Sequence, residues 1–355
     1  MSDHIDLGDE SGEEEEGEES VAEDEEVIIP PPPPPDDVQL IEDSFGFSHA
    51  SLTEIIPTKR FTWITKNKMT LQLITYGATI TCIQVPDRHG DVVDVVLGFE
   101  KVDHYVDNAN YFFGSTIGRV ANVIQDSCYS VGSEIIELSQ NSGSGHHSNG
   151  GNHGFDKVIW DWSVEGKKVT LSYLSPDGEE GYPGSLLTQI TYEVTVDNTV
   201  KIKIRSTTTK PTPVNISNSI YFNLAGHHAG RCSLYNHIFT INADKYTPVT
   251  DEHITTGEIM PVGGTLYDFR IPRMLSEVLT KIPGNAYDSN FCITKGSEQG
   301  LTFASRVLHP KSGRVLEVYS DQLGLQFSTA NLLPDSDNIR EVTIYIILRF
   351  GRFLF

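Results

Sequence analysis

The chain has 355 residues and carries 49 Asp and Glu against 26 Lys and Arg, a formal net charge of −23, with enough length for one large or two ordinary domains. Sixteen of the acids and none of the bases lie in residues 1–37, which leaves 33 acids and 26 bases for residues 38–355. That balance excludes the clustered basic face that nucleic-acid binding needs, and no apolar run reaches the roughly 18 residues of a membrane-spanning helix.

The N-terminal segment is of low complexity. Glu13–Glu26 is mostly Glu and Asp, and Pro30–Pro35 is an unbroken proline run. Such a stretch repels itself and has no apolar area to bury, so residues 1–43 are expected to be a disordered, solvated tail with a polyproline II spacer. The alternative, docking of the prolines to an SH3 or WW domain, is disfavoured by the acidic surroundings, and the sequence names no other partner. The start of the chain lacks the basic-then-apolar pattern of a signal peptide.

From about Ser44 the sequence reads as strands. Leu71 and Leu73 alternate with Gln72, and Thr79–Val85 forms another run. Val169–Tyr173 and Ile190–Thr195 follow. Val200, Ile202 and Ile204 then alternate with Lys201, Lys203 and Arg205 beyond the Asp197-Asn198 turn. This is the period of two of a half-buried strand. His237–Ile241 and Val315–Tyr319 complete the series. Pro176-Asp177-Gly178, Asp87–Asp91 and Lys311-Ser312-Gly313 are the turns between strands. Long helical periodicity is almost missing. The expectation is one all-β sandwich domain over residues 44–355.

Cys82, Cys128, Cys232 and Cys292 show no CxxC spacing, so neither a zinc site nor a redox motif is indicated and a reducing, cytoplasmic location is expected. His227-His228 lacks further ligands at fixed spacing, so no metal is expected. His146, His147 and His153 cluster around Asn149 in a Gly- and Ser-rich stretch.

Several strings, in order, resemble the aldose 1-epimerase (galactose mutarotase) family. They include Tyr76-Gly77-Ala78-Thr79, Leu97-Gly98-Phe99, Gly118-Arg119-Val120-Ala121-Asn122, Gly154-Phe155-Asp156-Lys157 and Ser175–Gly184. Further along come Tyr221–Gly226, Asp288 with Asn290-Phe291, and Ser312–Leu316. The resemblance spans about residues 45–333. It implies a galactose mutarotase-type β-supersandwich, a free aldose such as galactose or glucose as substrate, interconversion of its α and β anomers, and no cofactor or metal.

That reaction opens and recloses a hemiacetal ring, so it needs a base at the anomeric hydroxyl and an acid at the ring oxygen. The resemblance places Asn122, Asp288 and Gln326 at hydroxyl-binding positions. It places Asn149 and Ser219 where the family carries histidines, and Val123 where it carries an arginine. A C-terminal string with the family's basic Glu is not found. The sequence departs from the pattern at about residue 334, and Glu341 lacks the surrounding string. Asn does not titrate, and Ser is a poor proton donor near neutral pH. His147 and His153 are the substitutes in reach by a small register shift. The expected function is therefore that of an aldose 1-epimerase with impaired activity, the alternative being a catalytically inactive carbohydrate-binding pseudoenzyme or a truncated isoform. The Val342–Leu348 run is strongly apolar and β-prone, an aggregation-prone edge unless it pairs inside the sandwich.

Deleting residues 1–37 is expected to leave the melting temperature nearly unchanged in scanning calorimetry, because the segment has nothing with which to join a core. A loss of many degrees is the contrary outcome.

Overall fold

Five antiparallel strands open the described chain and lie in sequence order in one sheet: β1 Val38–His49, β2 Ile55–Thr65, β3 Thr70–Ile74, β4 Thr79–Pro86 and β5 Val92–Asp94. The structure is a computed structural model, and it describes residues 37–49, 55–143, 145–229, 231–296, 300–330, 333, 346–347 and 349–351. Alternation sets the register. Phe61 pairs with Leu73 and Trp63 with Leu71, so all four side chains point to one face and are fully buried.

A second sheet is the meander Asp161–Glu165, Lys168–Ser175, Leu186–Val194 and Val200–Thr208. In its third strand Leu186, Thr188, Ile190, Tyr192 and Val194 are buried, and the residues between them are not. The hairpin before Val200 turns through Asn198 at φ 63°, a left-handed conformation that Asn tolerates.

Two more sheets follow. One orders Arg273–Met274, Ile238–Ile241, Thr302–Leu308 and Val315–Ser320. The other orders Met260–Pro261, Ala243–Thr247, Asp288–Ile293, Gly324–Ser328 and Arg349–Gly351. Their inner faces share one apolar core that runs from Phe61 and Trp63 to Phe291, Leu325 and Phe327. Among the described residues the longest helix is Val102–Asp107, of six residues. The all-β expectation agrees with this architecture.

The expected start of the domain at residue 44 needs correction. β1 begins at Val38 and pairs with β2 from Val38↔Thr65 onward. Val38 and Leu40 pack against the core, and Asp43 binds Arg60 through Oδ1 and Nε at 2.9 Å. As an outer strand with exposed Glu42 and Asp43, β1 carries little of the apolar pattern by which strands are read. The acidic and proline runs and Glu341 lie outside the described residues. Within the apolar C-terminal run, Ile346–Ile347 pairs with Tyr221–Phe222, and just beyond it Arg349–Gly351 pairs with Gly324–Gln326. These described parts are therefore paired within the fold.

His237 anchors the Tyr221–Gly226 string from beneath. Its Nδ1 lies 3.1 Å from the Leu234 carbonyl, and its Nε2 accepts the Leu224 N–H at 3.0 Å. Both bonds are satisfied by the neutral ring. Burial, with the neighbouring His309 ring 4.9 Å away, holds this imidazole at a pKa of about 4. Because the folded-state value lies below that of the unfolded chain, protons bind the unfolded state first as pH falls below about 6.5. Relative to pH 7, His237 is expected to withdraw about 2 kcal/mol of stability at pH 5. Urea unfolding of the wild type and of His237→Gln at both pH values checks this, since the variant should lose that part of the pH dependence.

Candidate active site

The candidate site is built where three segments meet: the turn after Thr116–Ile117, the loop around Asn149, and the paired strands Asp288–Ile293 and Gly324–Ser328. Ser217-Asn218 pairs with Thr116-Ile117 in register Ser217↔Ile117, which carries the chain into Gly118–Asn122. Val123-Ile124 pairs with His147-Ser148, Val123 opposite Ser148. This two-residue ladder brings Asn149 beside Asn122. The Asn122 N–H donates to Asn149 Oδ1 at 2.9 Å, and the Asn149 N–H donates to the Asn122 carbonyl at 3.0 Å. Both residues are left-handed, at φ 68° and 49°, where Asn is favoured over most side chains. Gly150 follows at φ 90°, and a Cβ there would stand 1.8 Å from the Gly118 carbonyl oxygen, so only glycine allows the loops to approach.

Asn122 Nδ2 lies 3.5 Å from Gln326 Oε1, and Gln326 Nε2 donates to Asp288 Oδ1 at 2.7 Å. In the strand pair Gln326 is opposite Asn290, and Asp288 is its diagonal neighbour on the same face. Residues on either side of Gln326, Leu325 and Phe327, point the other way into the core. The three residues expected to bind hydroxyls therefore form one ladder. At its far end stands His253, whose Nδ1 is 3.4 Å from Asp288 Oδ2. That pairing holds the His253 imidazole above its ordinary pKa. The sequence alone gives no sign of His253: it sits in a turn, far along the chain from Asp288, and only the antiparallel pairing of Ala243–Thr247 with Asp288–Ile293 brings the segments together.

The other named positions differ. Ser219 is fully buried, its backbone is held by Ser115 and Gly114, and its Oγ has no hydrogen-bond partner among the described residues. Val123 is half-buried. His153 is exposed, with its backbone N–H on Glu180 Oε1. His147 is fully buried, and both its ring nitrogens are engaged. Nδ1 is 2.7 Å from the Ser139 carbonyl and Nε2 accepts from the Tyr182 hydroxyl at 2.7 Å. Burial lowers its pKa, so the ring stays neutral and is a brace with no nitrogen left for a ligand. The expected substitute imidazole is thus not His147.

Glu180 supports the same loop. Burial pushes its pKa up, but the Ser139 hydroxyl and the N–H groups of His153 and Asn152 outweigh that and lower it. Arg119 lies beneath. Its guanidinium donates to Ser175 Oγ at 2.8 Å, to the Pro176 carbonyl at 2.9 Å and to the Pro183 carbonyl at 3.2 Å, and it lies over the Tyr182 ring. Among the described residues no cluster of three or more potential metal ligands is present, and no helix is long and apolar enough to cross a membrane.

The profile of the aldose 1-epimerase family matches residues 59–345, most of the chain. This chain belongs to the aldose 1-epimerase family. Relatives agree. It is 42% identical over 267 residues to a galactose mutarotase of Sus scrofa, covering 75% of this chain and 76% of that protein. It is 43% identical over 275 residues to a galactose mutarotase of Homo sapiens, covering 78% of each. An aldose 1-epimerase of Escherichia coli is 35% identical over 272 residues. Among solved structures, a GalM/aldose epimerase homologue from C. elegans superposes with a TM-score of 0.73 at 25% identity, covering 81% of this chain and 87% of that one. A galactose 1-epimerase from Lactobacillus acidophilus gives 0.74 at 22% identity, a likeness of fold. In this aldose 1-epimerase scaffold the polar ladder is assembled, while Asn149 serves as a hydrogen-bonded corner of the turn.

Tyr182→Phe leaves the buried Nε2 of His147 without its donor. The expected cost is about 1–3 kcal/mol, read from urea unfolding at neutral pH.

Proposed function

We propose that this chain binds a free aldose along the Asn122–Gln326–Asp288 ladder and interconverts its anomers far more slowly than its galactose mutarotase relatives. The observation that carries the reading is the ladder itself, three hydroxyl-binding side chain types joined by hydrogen bonds at one surface. Amide and carboxylate groups in this arrangement offer both donors and acceptors to vicinal hydroxyls. The slow rate follows from the positions that the family resemblance assigns to proton transfer. Ser219 is sealed in the interior and Asn149 spends its side-chain oxygen on the Asn122 N–H. A positioned general acid or base typically contributes about 10²–10⁴-fold, so the loss of the family's imidazoles is expected to reduce turnover by at least about 10²-fold. Binding without turnover is the limiting case of the same reading.

Two measurements test it on the full chain. Calorimetric titration with galactose and glucose should show saturable binding, and polarimetry of freshly dissolved α-anomers should show a rate well below that of the Homo sapiens relative assayed in parallel. Gln326→Ala is expected to weaken binding about 2- to 10-fold, the equivalent of about 0.5–1.5 kcal/mol for a lost hydrogen bond. No binding of any aldose defeats the reading, and a turnover equal to the relative's defeats its second half.

A further inference from the structure

His253 occupies a built position at the end of the ladder. Its turn is closed by the Thr250 N–H on the Ile254 carbonyl at 2.8 Å and by the His253 N–H on the Thr250 carbonyl at 3.0 Å. The residue itself is left-handed at φ 60°. A second imidazole lies against the turn from the opposite loop. His146 is 5% exposed, and its Nδ1 accepts the Asp126 N–H at 2.9 Å, which places the neutral ring's proton on Nε2. Among the described residues that Nε2 has no hydrogen-bond partner, and it lies 3.6 Å from Oε2 of Glu252, the residue next to His253. The turn thus lies beside the loop that carries Asn149. His253 and Asp288 remain about half and one-third exposed, 49% and 38% at the side chain, so the pair is open to a ligand arriving from solvent.

We propose that His253, oriented by Asp288, is the proton-transferring group of this cleft, a role that rests on the aldose-binding reading above. With Nδ1 on the Asp288 side, 3.4 Å from Oδ2, Nε2 is the nitrogen that takes the proton of the anomeric hydroxyl. The O1–H bond breaks as the C1=O1 bond forms. The C1–O5 bond breaks with its electron pair going to O5, which takes a proton from solvent water. Rotation about C1–C2 and the reverse steps close the ring as the other anomer, with both protons returned and no net redox change. Asp288 fixes the ring as a carboxylate fixes an imidazole in other acid–base pairs. The charged group facing His253 is Asp288, from the paired strand; Glu252, its neighbour in the turn, lies against His146 instead. Asp288 favours the protonated ring and outweighs the opposing desolvation, so the base-competent form grows as pH rises through a titration above the ordinary histidine value.

The test uses the full chain and His253→Asn, a residue that accepts the left-handed turn. Anomer exchange of α-galactose and α-glucose is followed by polarimetry from pH 5.5 to 8.5 against protein-free buffer, and sugar affinity by calorimetry. The proposal expects a residual protein-dependent rate that rises with pH. That rate falls at least about 10-fold in His253→Asn, a lower bound on the about 10²–10⁴-fold such groups contribute, while affinity changes less than about 3-fold. Added imidazole should restore protein-dependent exchange in the variant beyond its effect in buffer alone. Sugar binding with no protein-dependent rate, or with a rate and pH profile unchanged in His253→Asn, overturns the role of His253 and leaves aldose binding standing. Failure of the wild type to bind any aldose overturns both.

Discussion

A buried guanidinium closes the circuit on which the site depends. Arg119 reaches the Ser175, Pro176 and Pro183 region. That loop presents Tyr182, whose hydroxyl holds His147. His147 begins the two-residue strand that ends at Ser148, and Asn149 then pins Asn122, three residues from Arg119. Its inner hydrogen bonds, Arg119 to Ser175 and Tyr182 to His147, are buried, where an unmade bond costs more than a made one contributes. The circuit therefore has few half-formed states, and loops with left-handed Asn122, Asn149, Gly150 and Gly151 are held in a single arrangement. Desolvation depresses the pKa of Arg119, partly countered by Glu179 and nearby tyrosines. The charge is tolerated because five protein acceptors surround it.

On that frame sits the part-buried ladder, with Gln326 buried and Asn122 and Asp288 half-buried. What it offers is position: two strands one register step apart set Gln326 and Asp288 at bonding distance, and the braced turn sets Asn122 beside them. In the aldose 1-epimerase scaffold the Asn122, Gln326 and Asp288 ladder is thus assembled while Ser219 is drawn into the backbone mesh with Ser115 and Gly114.

Much of the fold was legible because strands of a sandwich announce themselves by alternation. Leu71 with Leu73, and Val200 with Ile202 and Ile204, read correctly because one face meets the core. β1 was misread for the opposite reason: an outer strand rich in Glu and Asp resembles a solvated tail, and its pairing with β2 is a tertiary fact. The ladder was legible as residue types, through Asn122, Asp288 and Gln326, since short strings preserve their order. The histidines were not. His147 stands near Asn149 in sequence and looks available, yet Tyr182 and Ser139 take both nitrogens.

The sequence by itself determined the class of the fold, the family and the three polar side chains of the ladder, because each is written in local alternation or in short contiguous strings. Tertiary structure decided which histidine faces the ladder. The partners that fix a ring nitrogen's role come from distant segments: Tyr182 for His147, Asp126 for His146, and Asp288 for His253. An imidazole's chemistry depends on what each nitrogen touches, and those contacts exist only once antiparallel pairing has brought separate strands together.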